Sequence, residues 1–323
     1  MSLTSRIVRT LFTIGDLKRD LGWVPPTNVE TVENLSYGSC DKWHLLDLYR
    51  PKDKEGKLPV LLNIHGGAWV YGDKKVYAPY CMYLASQGFA VVNASYRLAP
   101  KHTFPSPLED VGSIMEWVVT NAKEYRLDPS NLFLVGDSAG AHLATAYTAI
   151  QLNQEYAKAF PGITVSKKLV PKALVLNCGV FDMEGEVKRR GALLTPFLTD
   201  ILGEKPTGSS IKKMSPVRYI TPDFPPVYLA TSNGDFLRKH SHRLKEVLEQ
   251  KQIDFSLISS ERKPKRSGKT ARTKAKKAEV KAPKKTTTNK KAKINKSAVK
   301  KGNVSNMKSN AASKTKKVKK KHE

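Results

Sequence analysis

Cysteine is scarce. Cys40, Cys81 and Cys178 are the only three in 323 residues, too far apart for a disulfide framework and without a CxxC pair for zinc. Long apolar runs are lacking as well: no stretch reaches 18 apolar residues, so no transmembrane segment is expected. The opening MSLTSRIVRTLFTIGDLKRD has apolar residues at helical spacing, but charges interrupt them and exclude a secretory core. These absences predict a soluble protein of a reducing compartment, cytoplasmic in location. Acidic residues almost vanish near the end. Residues 261–323 hold 22 Lys and 3 Arg against Glu261, Glu279 and Glu323, so +22 of the net +27 lies there and +5 in residues 1–260. The same tail has no Leu, Phe, Tyr, Trp, Asp or Cys. It cannot bury enough apolar surface to offset the entropy of ordering. A single fold over the whole chain is therefore excluded. Three parts are expected: a helical segment over 1–28 that is a candidate cap, a folded domain over 29–260, and a disordered Lys-rich tail over 261–323.

What is present in the first 260 residues is an alternation of strand and helix signals. Residues 1–20 read as an amphipathic helix with Ile7, Leu11, Ile14 and Leu17 on one side, and Pro25-Pro26 break it. Strands are predicted over Val32–Tyr37 and Trp43–Tyr49. Pro59–Ile64 and Phe89–Tyr96 are apolar enough to be buried on both faces. Helices are predicted near 77–87, over Pro107–Glu124, from the Gly136 turn to about Leu152, and over Leu237–Gln250. Further strands fall at Leu132–Val135, Ala173–Asn177, Val227–Thr231 and Asp254–Ser260. This order predicts an α/β fold: a mostly parallel central sheet with helices on both faces. Residues 182–213 show no strand pattern and sit where a lid or insertion could lie.

The chemistry concentrates at Gly136-Asp137-Ser138-Ala139-Gly140, between a strand and a helix. A serine hydroxyl is a poor nucleophile unless it is lifted into the open beside a base. A sharp strand-to-helix turn does the lifting, and flanking glycines let backbone pass close by. The new helix also aims free N–H groups at the same spot. His65-Gly66-Gly67-Ala68 follows another buried strand. Acyl transfer develops an oxyanion, and the N–H groups of Gly67, Ala68 and Ala139 would make a three-donor hole for it. His65 reads as a residue bracing this loop rather than as a base.

Together these motifs resemble the hormone-sensitive-lipase-like carboxylesterase branch of the α/β-hydrolase fold family. Tyr96-Arg97-Leu98-Ala99-Pro100, with Phe104-Pro105 and Asp110, is similar to that branch's stretch after the fourth strand. Ser232-Asn233-Gly234-Asp235-Phe236-Leu237 is similar to its acid loop, which implies Asp235 as the triad acid beside Ser138. The resemblance covers roughly residues 30–258. It implies hydrolysis of small, usually short-chain, carboxylic esters with no cofactor and no metal. Two departures are visible: Ala68 stands where a third glycine is frequent, and Lys101 where an acid is frequent.

The triad base does not appear where the resemblance implies it. The family order is serine, acid, histidine. About 30 residues beyond Asp235 the chain reads Lys263-Pro264-Lys265-Arg266-Ser267. His240 and His242 follow the acid too closely and are expected to face solvent or helix packing. His142 reads as structural, His44 and His102 match nothing, and His322 is next to last. The last helix of the fold is missing too, and an uncovered sheet end favours association. Three readings of the tail stand: a fused basic arm, a shifted reading frame of adenine-rich codons, or a non-catalytic relative. Its lysines predict sequence-independent binding of nucleic acid or another polyanion by counterion release, with an anionic membrane surface as the alternative target. The two functions left open are a serine esterase of doubtful competence and a non-catalytic hydrolase-like module with a nucleic-acid-binding arm.

Overall fold

The sheet order follows from which strands are apolar on both faces. In the computed structural model, residues 1–261 are described except 41 and 166–168, all within the compact unit Met1–Lys265. Eight strands run β1 (Val29–Ser36), β2 (Leu45–Pro51), β3 (Leu58–Ile64), β4 (Ala90–Ala94), β5 (Leu127–Asp137), β6 (Ala173–Asn177), β7 (Val227–Ser232) and β8 (Phe255–Ser260). They form one sheet in the order β1-β2-β4-β3-β5-β6-β7-β8. β1 and β2 join antiparallel, and β4 onward are all parallel. All five residues of β4 are buried and nearly all of β3, as expected of strands covered on both sides. The expected mostly parallel sheet is thus present, and every strand read from the sequence is found.

Helices α1 (Leu3–Arg19), α2 (Ala78–Ser86), α3 (Ser106–Thr120), α4 (Ala139–Leu152) and α5 (Gln154–Lys158) come first. The region 182–213 carries three short helices and no strand: α6 (Met183–Arg190), α7 (Thr195–Leu202) and α8 (Gly208–Lys213). α9 (Arg238–Gln250) precedes β8. One sheet face carries the large core, where Leu108, Ile114, Leu143, Tyr147, Leu244 and Leu248 from α3, α4 and α9 meet Leu62, Leu134, Leu176 and Leu229. The opposite face carries a smaller cluster, in which Cys81 and Ala85 of α2 cover Leu61, Val91 and Val135. Among the described residues no helix follows β8, and Tyr228 and Ile258 on β7 and β8 remain 41% and 51% exposed. The expected disorder and polyanion binding of residues 261–323 lie outside the described residues, Glu261 apart.

Parallel strands all end on one side of the sheet, and that side collects the motifs. Ile64 at the end of β3 pairs with Gly136 of β5, and Asn177 of β6 pairs with both Asp137 and Ala230. The loops carrying Gly66-Gly67-Ala68, Ser138 and Asp235 therefore emerge side by side.

Candidate active site

Ser138 sits at the junction of β5 and α4 with φ 49° and ψ −114°, a left-handed backbone that a residue with a Cβ rarely adopts. The strain is held from both sides. Its N–H donates to the Asn177 carbonyl at 2.9 Å, and its own carbonyl accepts from His142 N–H at 3.1 Å. The two motif glycines have no room for a side chain. A Cβ on Gly136 would lie 2.6 Å from the Gly140 carbonyl carbon, and one on Gly140 would meet the carbonyls of Ile64 and His65. The Ser138 hydroxyl does not cap α4 and is half-buried at the base of a cleft.

The loop after β3 is equally strained. Gly67, Ala68 and Trp69 have φ of 117°, 54° and 58°. The Gly67 carbonyl accepts from Val70 and Tyr71, closing a tight turn. Among the described residues, no hydrogen bond takes up the N–H groups of Gly67, Ala68 or Ala139. Gly66 N–H donates to Asp137 Oδ1 and to the Tyr77 hydroxyl, both at 3.0 Å, which ties this loop to the elbow. Burial pushes the Asp137 carboxyl up, against the hydrogen bonds from Tyr77 and Gly66. His65 braces the loop as expected. It is fully buried, stacked on Tyr96 at 4.0 Å, and bonded to the Gly66 carbonyl at 2.7 Å through Nδ1. Burial lowers its pKa to about 4, so it is neutral.

The Asp235 carboxylate is held by the Thr231 hydroxyl and the Leu237 N–H, each at 2.8 Å. The Cys178 thiol also bonds to it, and burial together with that carboxylate pushes the thiol up to about 12. Asn233 N–H donates to the Ser260 carbonyl at 3.0 Å, so the chain leaves β8 beside the loop that carries Asp235. The residues that follow are Glu261, Arg262 and Lys263, with no imidazole among them.

Two of the histidines behave differently from each other. His242 is exposed, as expected. His240 is 2% exposed and lines the same cavity as Ser138, which sequence spacing did not anticipate. Its Nδ1 accepts from Asp182 N–H at 3.1 Å, and its Nε2 lies 3.2 Å from Glu186, off the line of a good hydrogen bond. Burial first, then the Arg189 charge, lower its pKa to about 4. The remaining Arg97–Asp110 pair explains the stretch after the fourth strand. Arg97 N–H and Nε bond to buried Asp110 at 2.7 and 2.8 Å, and His44 Nε2 lies 3.1 Å from the same carboxylate. That trio fixes a loop and lies outside the cleft.

Two cavities meet at Ser138. One, of about 300 Å³, is lined by Gly66, Gly67, Asp137, Cys178, Asp235 and the helix α1. The other, of about 190 Å³, is mostly apolar, with Trp69, Val180, Met183, Leu198 and His240. Phe12 of α1, Phe236 and Leu237 border both. Such a pairing can seat the two halves of a small molecule on either side of one hydroxyl. Among the described residues no cluster of His, Cys, Asp and Glu could hold a metal ion.

The family model BD-FAE matches residues 46–248, which is more than half of the chain. The chain belongs to the BD-FAE family, with an α/β-hydrolase fold. Within this BD-FAE chain the match starts in β2 and ends in α9, so it takes in both glycine-rich loops and Asp235. A Mycobacterium tuberculosis protein named as a probable carboxylic ester hydrolase, LipM, is 30% identical over 63% of this chain and 48% of its own length. An esterase of Gibberella moniliformis is 29% identical over 66% of this chain and 69% of its own length. The chain thus spans about half the length of LipM and of several other curated relatives. Among solved structures, esterase B of Lactobacillus rhamnosis bound to a tributyrin phosphonate superposes with a TM-score of 0.72. It shares 25% identity and covers 80% of this chain and 82% of its own. A bacterial heroin esterase has a TM-score of 0.62 and 27% identity, covering 78% and 80%.

The described residues around Ser138 include several that sequence reading left unassigned: Phe12, Tyr77, Cys178, Phe236 and His240. Only Phe236 lay in a motif already singled out. Nothing in the local pattern of α1 told which of its sides would face the sheet.

Proposed function

We propose that this BD-FAE chain is a carboxylic-ester hydrolase of small esters, with a serine site that lacks its own base. Ser138 is the nucleophile. The N–H groups of Gly67, Ala68 and Ala139 receive the oxyanion of the tetrahedral intermediate, and Asp235 is the acid that would orient an imidazole. The observation that carries this reading is a strained serine at the meeting point of two cavities, next to three backbone donors without partners among the described residues. The names of LipM and of the Lactobacillus rhamnosis enzyme support the same reaction class.

The reaction follows from those parts. The hydroxyl oxygen adds to the ester carbonyl, and its proton must leave to a base. The carbonyl oxygen becomes an anion facing the three donors. Collapse expels the alcohol, and water then repeats the sequence on the acyl-serine. Donors and binding alone leave a residual of about 10³–10⁴ over water, while loss of the base costs on the order of 10⁶ in kcat. His240 does not replace the base, because its Nδ1 lone pair is taken by Asp182 N–H.

The test is turnover of a short-chain nitrophenyl ester with and without added imidazole. Slow turnover that rises in proportion to neutral imidazole, and that Ser138→Ala abolishes, is expected. No turnover at any imidazole concentration would favour the non-catalytic module instead. Brisk turnover lost in His240→Ala or His322→Ala would show that the chain carries its own base.

A further inference from the structure

Helix α1 is attached to the body by a mixed side, on which Val8 packs against the core and Phe12 against Tyr71 beside a set of polar contacts. Ser5 Oγ and the Ser2 N–H donate to Asp200 Oδ2, each at 2.6 Å. The Tyr71 hydroxyl donates to Asp16 at 2.9 Å, and Arg19 donates to the Val76 carbonyl at 2.6 Å. The opposite side carries Leu3, Ile7, Leu11, Ile14 and Leu17, each 47–73% exposed. A surface helix ordinarily turns its apolar residues inward and a polar side out, whereas α1 carries this further apolar stripe away from the body. Nine of the sixteen large apolar side chains exposed among the described residues lie in the first 24 positions, so this is a patch and not ordinary scatter. It continues past the helix with Leu21, Trp23 and Val24.

We propose that the outward face of α1 is an adsorption surface for an anionic lipid–water interface. Charge selects that occupant. On a helical projection Arg6 falls at one border of the stripe and Lys18 within it, between Ile7 and Leu11, and α1 holds four basic residues against the single acid Asp16. A second copy seated α1 against α1 would bring those same basic residues to the contact, like charge on like. Nucleic acid offers the anions but nothing to receive five aliphatic side chains. A lipid surface offers both, and an amphipathic helix with a basic border lies in such an interface without spanning it. Among the described residues no helix is long and apolar enough to cross a membrane, which agrees with surface contact. The inner side of the same helix supplies Thr4, Val8 and Phe12 to the cavities at Ser138, and Leu11, at the edge of the outward stripe, reaches one of them. The lipid would therefore lie about one helix diameter, roughly 10 Å, from the cleft. The proposal stands whether or not the cleft is hydrolytic.

The experiment uses the full chain and sedimentation with phosphatidylcholine vesicles, with or without phosphatidylglycerol, at low salt and at 0.5 M. At the higher salt the screening length is about 4 Å, and binding by charge alone fades. Wild type should stay on phosphatidylglycerol vesicles at both salts. Ile7→Ser, Ile14→Ser and Leu17→Ser together should weaken binding at 0.5 M salt by on the order of a hundredfold or more. None of the three lines either cavity at Ser138 and all are exposed, so the thermal melt should not move. Trp23 fluorescence of the wild type should shift to the blue on vesicles, and Trp23→Phe should lose that shift. Equal binding by wild type and triple variant at both salts would overturn the proposal, as would an unshifted Trp23. A concentration-dependent dimer that the three serines dissolve would also overturn it, in favour of a second copy.

Discussion

At the scale of single residues, the cleft is built from backbone that its own side chains oppose. Ser138 at φ 49° stores about 1–3 kcal/mol of conformational strain. Glycine adopts that geometry freely but costs about 0.5–1 kcal/mol in unfolded-state entropy. Ser138→Gly should therefore stabilise the fold by about 1 kcal/mol and raise Tm by about 2–4 °C, while removing the proposed nucleophile. Gly140→Ala should act the other way. Its Cβ would run into the Ile64 carbonyl, and neither α4 nor β3 can withdraw without unpacking. Calorimetry of both variants decides the matter, and a Tm for Ser138→Gly below wild type would mean that the hydroxyl stabilises more than the strain costs.

At the scale of elements, a buried ion pair joins the front of the sheet to the loop over it. Lys74, in the short 3₁₀ turn Lys74–Tyr77, donates to Asp47 of β2 at 2.6 Å, with both side chains about 5% exposed. Asp47 also accepts from Asn34 N–H at 2.9 Å and the Tyr49 hydroxyl at 3.2 Å. Lys74→Met leaves that carboxylate buried and short of its cation, at a cost of about 3–5 kcal/mol. Adding Asp47→Asn should recover most of it, since removing both charges leaves none unpaired. A urea midpoint unchanged in Lys74→Met would refute the assignment. The pair also marks where sequence reading stops. β3, β4 and α4 were legible because both-face burial writes a continuous apolar run, and the elbow was legible because its glycines are sterically required. Lys74 stands in Gly72-Asp73-Lys74-Lys75, which reads as a solvated turn, and only the fold brings Asp47 beneath it. α1 was legible as a helix, yet its orientation was not. Period shows apolar positions, but here Asp200 and Tyr71, distant in sequence, hold the side with Ser5, Val8 and Phe12 inward and leave Ile7 and Ile14 out. The place of His240 escaped for the same reason, being set by α6 packing across α9.

At the scale of the whole molecule, the stability of the fold is tied to pH by three buried imidazoles. His65 and His142 are fully buried and His240 nearly so. Burial lowers their pKa values to about 4, about 3 and about 4. In the unfolded chain each returns to about 6.5. Above pH 6.5 all three are neutral in both states, and their contribution to stability is complete. As pH falls below 6.5 the unfolded chain takes up protons that the folded chain refuses, so stability is lost until the folded pKa values are reached near 4. With three such groups the slope approaches about 4 kcal/mol per pH unit between roughly pH 5.5 and 4.5. Asp137, whose carboxyl is raised by burial, works in the opposite direction, but it is one group against three. Down to pH 4 the loss reaches about 8 kcal/mol, enough to exhaust a net stability in the lower half of the usual range of about 5–15 kcal/mol. The protein should therefore unfold cooperatively between about pH 5 and 4, well above the range where ordinary surface carboxylates are protonated. Urea melts from pH 7 to 4.5 read the slope directly, and His142→Gln should remove about a third of it. That side chain packs edge-on against Trp69 and Phe104, so the substitution will also lower stability at pH 7. The slope, not the intercept, is the diagnostic. A flat profile from pH 7 to 5 would mean that these imidazoles reach water or a proton-sharing partner in solution.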